Sequence, residues 1–129
     1  MRKSFRIDPV TRLLESVGIP RSAATPLARA GTLIQLPSDA TLCRVGERGR
    51  EAFIILEGEA SVLLPDRIVT LGAGDVVGEL ATLDPARTRN ATVIATTDLL
   101  VLVFDAGTFN SLAREPALAG ILRPERSAA

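Results

Sequence analysis

From Gly31 onward the chain breaks into short apolar segments separated by turn formers, and this rhythm restricts the fold more than any other feature of the sequence. Residues 32–36, 41–45, 52–56, 60–64, 67–71, 91–96 and 99–104 are each rich in β-branched or large aliphatic side chains. Between them fall Pro37-Ser38-Asp39, Gly46 to Gly49, Glu57-Gly58, Pro65-Asp66, Gly72 to Asp75 and Thr97-Asp98, residue types that reverse a chain. Strands this evenly spaced, with no helix between most of them, predict an antiparallel sandwich or roll; a parallel sheet needs a crossover helix between partners.

Helices flank the strands. Asp8-Pro9 reads as an N-cap followed by proline at the first helical position, and Val10, Leu13, Leu14 and Val17 recur at helical spacing until Gly18 ends the run. Residues 20–30 form a second short helix, which Pro26 is expected to kink or split. After Asp105, Thr108, Phe109, Leu112, Leu118, Ile121 and Leu122 make a broken amphipathic stripe, interrupted at Pro116 and stopped by Pro124, with a frayed tail over 126–129. The 129 residues thus read as a single domain over 1–129, with a helical N-terminal segment (8–30), a β-roll (31–105) and C-terminal helices (106–123). A chain of this length buries roughly two-thirds of its unfolded surface, enough for a true core.

Composition narrows the function. The chain is 47% hydrophobic with four Phe and neither Trp nor Tyr, so the core is aliphatic and stacking platforms for single-stranded nucleic acid are scarce. Fifteen basic residues balance fifteen acidic ones, so the positive field that draws a protein to a phosphate backbone is missing and nucleic acid is not an expected partner. The longest apolar run, 99–104, is far short of the ~18 residues of a membrane span, and no h-region follows Met1-Arg2-Lys3. With Cys43 as the sole cysteine, no internal disulfide forms, and a cytoplasmic domain without membrane contact is expected.

Histidine is absent, so the usual zinc, iron and copper sites lack ligands, and Ser-His-Asp and Cys-His nucleophiles lack a base. Lys3, the only lysine, sits in the N-terminal tail, away from any P-loop or Schiff-base context. Carboxylate-only catalysis stays open on composition, but no pair of acids stands out. The expectation is a protein that is not an enzyme, with no catalytic residues, no metal and no cofactor. Gly72-Ala73-Gly74-Asp75-Val76-Val77-Gly78 approaches a dinucleotide fingerprint, but its third glycine falls one residue late outside any βαβ context, so it reads as a turn. Asn90-Ala91-Thr92 fits a glycosylation sequon in a chain with nothing else secretory, and Cys43 reads as a buried strand residue.

Two stretches remain. In Gly46-Glu47-Arg48-Gly49-Arg50-Glu51, continuing to Glu57-Gly58-Glu59-Ala60, a glycine-marked turn enters a strand and a second glycine makes the hairpin out of it. Further on, Gly78-Glu79-Leu80-Ala81 is followed by Arg89-Asn90-Ala91-Thr92-Val93. Taken singly, these residues are a hairpin, a strand-to-helix bend, a helix-start acid that favours the dipole, and a surface arginine. Together, over about residues 31–115, they resemble the cyclic-nucleotide-binding domain family, with spacing close to its bacterial catabolite-activator branch and to kinase regulatory subunits.

That resemblance implies a mainly β fold, a double-stranded β-helix or jelly-roll β-roll. Short N-terminal helices, a short phosphate-binding helix opening at Glu79, and C-terminal helices would complete it. It also implies a ligand, cyclic AMP ahead of cyclic GMP, held by Gly78, Glu79, Leu80, Ala81, Arg89, Asn90 and Ala91. A cyclic nucleotide carries one negative charge on two exocyclic oxygens, which a planar guanidinium matches without Mg²⁺ for roughly 1.5–3 kcal/mol net. By resemblance, Arg89 and the amides of the short helix take that phosphate, Glu79 accepts from the ribose 2′-hydroxyl, Gly78 makes the bend, and Ala81 and Ala91 allow close approach.

Arg87 competes with Arg89, which is preferred because it stands three residues before Thr92 as in the family's register. Asn90 departs from the small residue relatives carry there. A base-covering lid, if one exists, falls on Phe109, Leu112, Leu118 and Leu122, residues that are otherwise ordinary core. The implied role is a regulatory sensor whose partner is a second copy of the chain or a separate effector protein. The competing readings are a ligand-free β-roll serving interaction or oligomerisation, and a cupin-like enzyme, disfavoured by the missing histidines.

Overall fold

The protein is described by a computed structural model covering residues 8–78, 89 and 91–122. Its described strands are β1 (Thr32–Leu36), β2 (Thr41–Cys43), β3 (Glu51–Glu57), β4 (Ala60–Leu63), β5 (Ile68–Leu71), β6 (Val76–Val77), β7 (Thr92–Ala95) and β8 (Leu99–Asp105). They form two antiparallel four-stranded sheets, ordered β1-β8-β3-β6 and β2-β7-β4-β5. The molecule is the mainly β roll that the strand rhythm implied.

The middle strands of the first sheet, β3 and β8, are buried on both faces, which explains why they read as unbroken hydrophobic runs rather than alternating ones. Phe53, Ile55, Val101 and Val103 point into the layer shared with the second sheet. Ala52, Ile54, Leu56, Leu102 and Phe104 point the other way, into a cluster shared with the helices. The two strands pair from Glu51↔Asp105 to Ile55↔Val101 before a bulge shifts the register to Glu57↔Leu100. In the second sheet β4 and β7 alternate buried and less buried residues, as strands with one wet face do.

Four described helices cover the outer face of the first sheet: α1 (Pro9–Ser16), α2 (Arg21–Ala30), α3 (Ala106–Ala113) and α4 (Pro116–Leu122). Asp8 caps α1 as expected, its Oδ1 accepting from the N–H of Val10 at 2.7 Å and Thr11 at 3.4 Å. The helix α2 runs through Pro26 instead of splitting, because the single hydrogen bond proline forgoes is outweighed by Ala23, Ala24 and Leu27 packed in the core. Pro116 opens α4 at its first position, where a missing N–H costs nothing, so the C-terminal stripe is two helices. Phe104 of β8 and Phe109 of α3 meet with ring centroids 6.1 Å apart, tilted by 57°.

Two strand expectations are corrected. The second strand stops at Cys43 rather than residue 45, because Arg44 and Val45 enter a turn that leaves Val45 exposed. The glycine-rich stretch 72–78 is a turn only as far as Asp75, whose Oδ2 accepts from Gly72 N–H at 2.7 Å. Val76 and Val77 then pair with Ile54 and Phe53, as a strand too short to show a period in the sequence. At Gly58, φ is +94° and an added Cβ would strike the carbonyl oxygen of Asp98, so the β3–β4 hairpin requires glycine there.

Asp105 joins β8 to α3. Its Oδ1 accepts from Thr108 N–H at 2.8 Å and its Oδ2 from Thr108 Oγ1 at 3.1 Å, and these bonds, the backbone one foremost, hold the carboxyl below its ordinary pKa of 3.8. A depressed folded pKa contributes stability that is fully present above the ordinary value and is lost as pH falls through the folded one. Asp105→Ala is therefore expected to lower the unfolding midpoint at neutral pH, with the gap to the parent protein closing below about pH 4. Thermal melts of both proteins across that range check it, and a gap constant with pH would refute the cap.

Candidate functional site

Arg89 is the one charged residue buried among the described residues, with 5% of its surface exposed. Its main chain is tied to the β2–β3 turn in both directions: Arg89 N–H donates to Glu47 O at 2.7 Å and Gly46 N–H donates to Arg89 O at 2.9 Å. Its side chain reaches across to the other sheet. Nη1 donates to the carbonyl of Gly78 at 2.8 Å, just after β6, and Nη2 to the carbonyl of Glu51 at 2.6 Å, at the start of β3. The two carbonyls fix the plane of the guanidinium and leave each Nη nitrogen with a second N–H.

Gly78 has φ of +83°, and a Cβ there would run into Arg89 Nη1. Glycine is needed at this position both for the bend and to seat the arginine. The guanidinium of Arg89 fills the space a side chain at 78 would need. Ala91 is buried in the layer between the sheets, directly before β7. Glu79, Leu80, Ala81 and Asn90, together with the competing Arg87 and the short phosphate-binding helix, lie outside the described residues.

Beside Arg89 opens a cavity of ≈ 360 Å³, within the range of small-molecule sites. Leu42 and Cys43 of β2 line it together with Arg44, Glu47, Arg48, Arg50 and Glu51 of the turn and the start of β3. Arg44 pairs with Glu47 at 3.3 Å, whereas no ion pair joins Arg48, Arg50 or Arg89 to a carboxylate among the described residues. A cation removed from water without a counter-charge is costly, so this cavity favours an anionic guest. Among the described residues, no group of three or more His, Cys, Asp or Glu is placed to hold a metal.

The turn residues 44, 47, 48, 50 and 51 were not among the sequence-derived site residues. Three arginines within seven positions, around Gly46 and Gly49, were the available signal. Cys43 is a buried strand residue as expected, and it also faces the cavity. The conditional lid placement is corrected: Phe109, Leu118 and Leu122 are fully buried in the helix-side cluster, with Leu112 packed against it, and none lines the cavity. They cover the face of β3 and β8 that points away from the second sheet, which is the core alternative.

Arg89 is thus buried beside the bend at Gly78, bridging the two antiparallel sheets. Residues 33–115 match the cyclic nucleotide-binding domain, and the chain belongs to that family. It is 41% identical over 124 residues to a cyclic nucleotide-gated potassium channel of Rhizobium etli, covering 94% of this chain and 34% of the channel. It is likewise 41% identical over 91 residues to the Pycsar effector protein PaPycTIR of Pseudomonas aeruginosa, covering 70% of this chain and 30% of that protein. The chain therefore spans about a third of the length of these curated relatives.

Among solved structures, cAMP-bound PfPKA-R superposes with a TM-score of 0.71 at 25% identity, over 81% of this chain and 38% of that one. PKAR CBD2 bound to Sp-2Cl-cAMPS gives the same TM-score at 23% identity, over 89% of this chain and 76% of that one, and speaks for the fold. No helix among the described residues is long and apolar enough to cross a membrane.

The seating of Arg89 is testable without any ligand. Gly78→Ala, which strains a left-handed backbone position and intrudes on the guanidinium, is expected to cost about 1–3 kcal/mol in urea unfolding. The side-chain NMR signals of Arg89 should shift with it. A variant as stable as the parent, with those signals unmoved, would show that the carbonyl clamp does not depend on glycine.

Proposed function

We propose that this domain is a regulatory sensor that binds a cyclic nucleotide monophosphate, cyclic AMP ahead of cyclic GMP, and catalyses nothing. The observation that carries the reading is Arg89: a guanidinium 5% exposed, oriented by two carbonyls and lacking a carboxylate partner among the described residues, beside a cavity in a chain of this family. Its remaining Nη hydrogens suit the two exocyclic oxygens of a cyclic phosphodiester, and the monoanion supplies the counter-charge that burial demands.

In this reading, backbone amides at the start of a short helix opening at Glu79 share the phosphate, with Leu80 and Ala81 in its first turn. Glu79 accepts from the ribose 2′-hydroxyl, Gly78 keeps the arginine seated, and Asn90 and Ala91 close the loop. The preference for cyclic AMP is supported by the solved relative of 25% identity, a cAMP-bound structure. Residues 1–129 act as one cytoplasmic domain without nucleic-acid or membrane contact, and its output is to a second copy or to an effector protein or domain.

Backbone contacts support such an output. Arg50, which lines the cavity, accepts at its carbonyl the N–H of Ala106, the first residue of α3, at 2.9 Å. Glu51, whose carbonyl holds Arg89, lies opposite Asp105, the cap of the same helix. A ligand that re-seats Arg89 biases the start of α3 through this strand, the differential contact a population shift requires.

The alternative is a ligand-free interaction module, and what favours it is that the two carbonyls already satisfy part of Arg89. Thermal unfolding with and without each nucleotide separates the two. Ligand at a hundred times its dissociation constant adds about 2.7 kcal/mol, a rise of several degrees for a domain this size. Arg89→Ala is expected to abolish the rise and Arg87→Ala to keep it; the opposite pattern would transfer the phosphate to Arg87. A parent protein that responds to neither nucleotide is the interaction module.

A further inference from the structure

The β2–β3 connection does more than hold Arg89. The same turn that exchanges backbone hydrogen bonds with Arg89 places Arg44, Arg48 and Arg50 on the wall of the cavity. Four arginines against two glutamates give the lining a surplus of two positive charges, in a chain whose total balances at 15 against 15. The surplus is therefore a product of the fold. Arg44 is offset by Glu47 at 3.3 Å, which leaves Arg48, Arg50 and Arg89 against Glu51 in the lining. Arg48 and Arg50 are solvent-exposed, in contrast to Arg89, and neither forms an ion pair among the described residues.

We propose that Arg48 and Arg50 are a capture rim: exposed cations that draw the anionic nucleotide to the mouth of the cavity and pass it to Arg89 without gripping the bound state. The inference rests on the nucleotide reading and assigns these two residues a part in it. Water strips most of the binding energy from exposed charge pairs, so rim charges act on encounter. Their field still reaches about 8–10 Å at ordinary ionic strength, far enough to bias the approach of a small anion. Division of labour follows from burial: the arginine at 5% exposure sets how long the ligand stays, and the exposed pair sets how often it arrives.

Stopped-flow mixing of the protein with a fluorescent cyclic AMP derivative, at salt from about 20 to about 300 mM, tests this. The double variant Arg48→Gln with Arg50→Gln is expected to associate about three- to tenfold more slowly at low salt and to converge on the parent at high salt. Its dissociation rate should stay within about twofold of the parent's. Both side chains are exposed, so its melting midpoint should match the parent's. Arg67→Gln, which removes one positive charge from the β4–β5 turn outside the cavity lining, should leave association unchanged. An unaltered association rate in the double variant overturns the rim, as does a loss confined to dissociation, which would make these residues direct ligand contacts. A parent protein that does not bind the probe overturns the nucleotide reading itself, and the rim with it.

Discussion

The structure turns on how one guanidinium is held out of water. Arg89 is enclosed on its main-chain side by the β2–β3 turn and on its side-chain side by the carbonyls of Gly78 and Glu51. Each contact removes a degree of freedom from a long, flexible side chain. The fork is therefore already oriented by the fold. The arrangement also explains the glycine at 78, because any side chain would occupy the space the fork requires. Carbonyl dipoles only partly offset a buried positive charge, so a guest anion remains favourable.

The core is divided by the first sheet, and the division separates two tasks. On one side β3 and β8 pack against the second sheet, near the cavity; on the other they pack against all four helices. The C-terminal helices are thus joined to the cavity wall by the shared strands and by the bond from Ala106 to Arg50, with no described side chain of theirs lining the cavity. Close packing on both faces of β3 makes a displacement at its first residues hard to absorb locally. A lid built from Phe109 or Leu122 would have to abandon fully buried positions in the core.

Much of the fold could be read from local chemistry. The extent of β1 and the start of α1 followed from β-branched runs, turn formers and an Asp-Pro cap, each acting over a few residues. Three features could not. The strand Val76–Val77 is two residues long and exists only because β3 offers it an edge. The continuity of α2 through Pro26 depends on core packing by its neighbours, and propensity alone would have broken it. The end of β2 at Cys43 depends on the turn at 44–47 docking onto Arg89, some forty positions away.

The candidate site divides along the same line. The family was legible because Gly78-Glu79-Leu80-Ala81 and Arg89 before a strand form a local motif, and residues 33–115 match that family; the bond from Arg89 to the Gly78 carbonyl was not. The cavity wall was not legible, since residues 46–51 contributed to the family resemblance as a glycine-marked turn and only the closure of that turn on Arg89 puts its arginines beside the cavity. Sequence alone determined which residue types were available: no histidine, one cysteine, balanced charge, and an order of strands that closes as an antiparallel roll. Only the tertiary structure decided that one arginine would be buried while its neighbours in space stayed exposed. Burial and charge partnering arise from contacts between distant segments, and no local pattern encodes them.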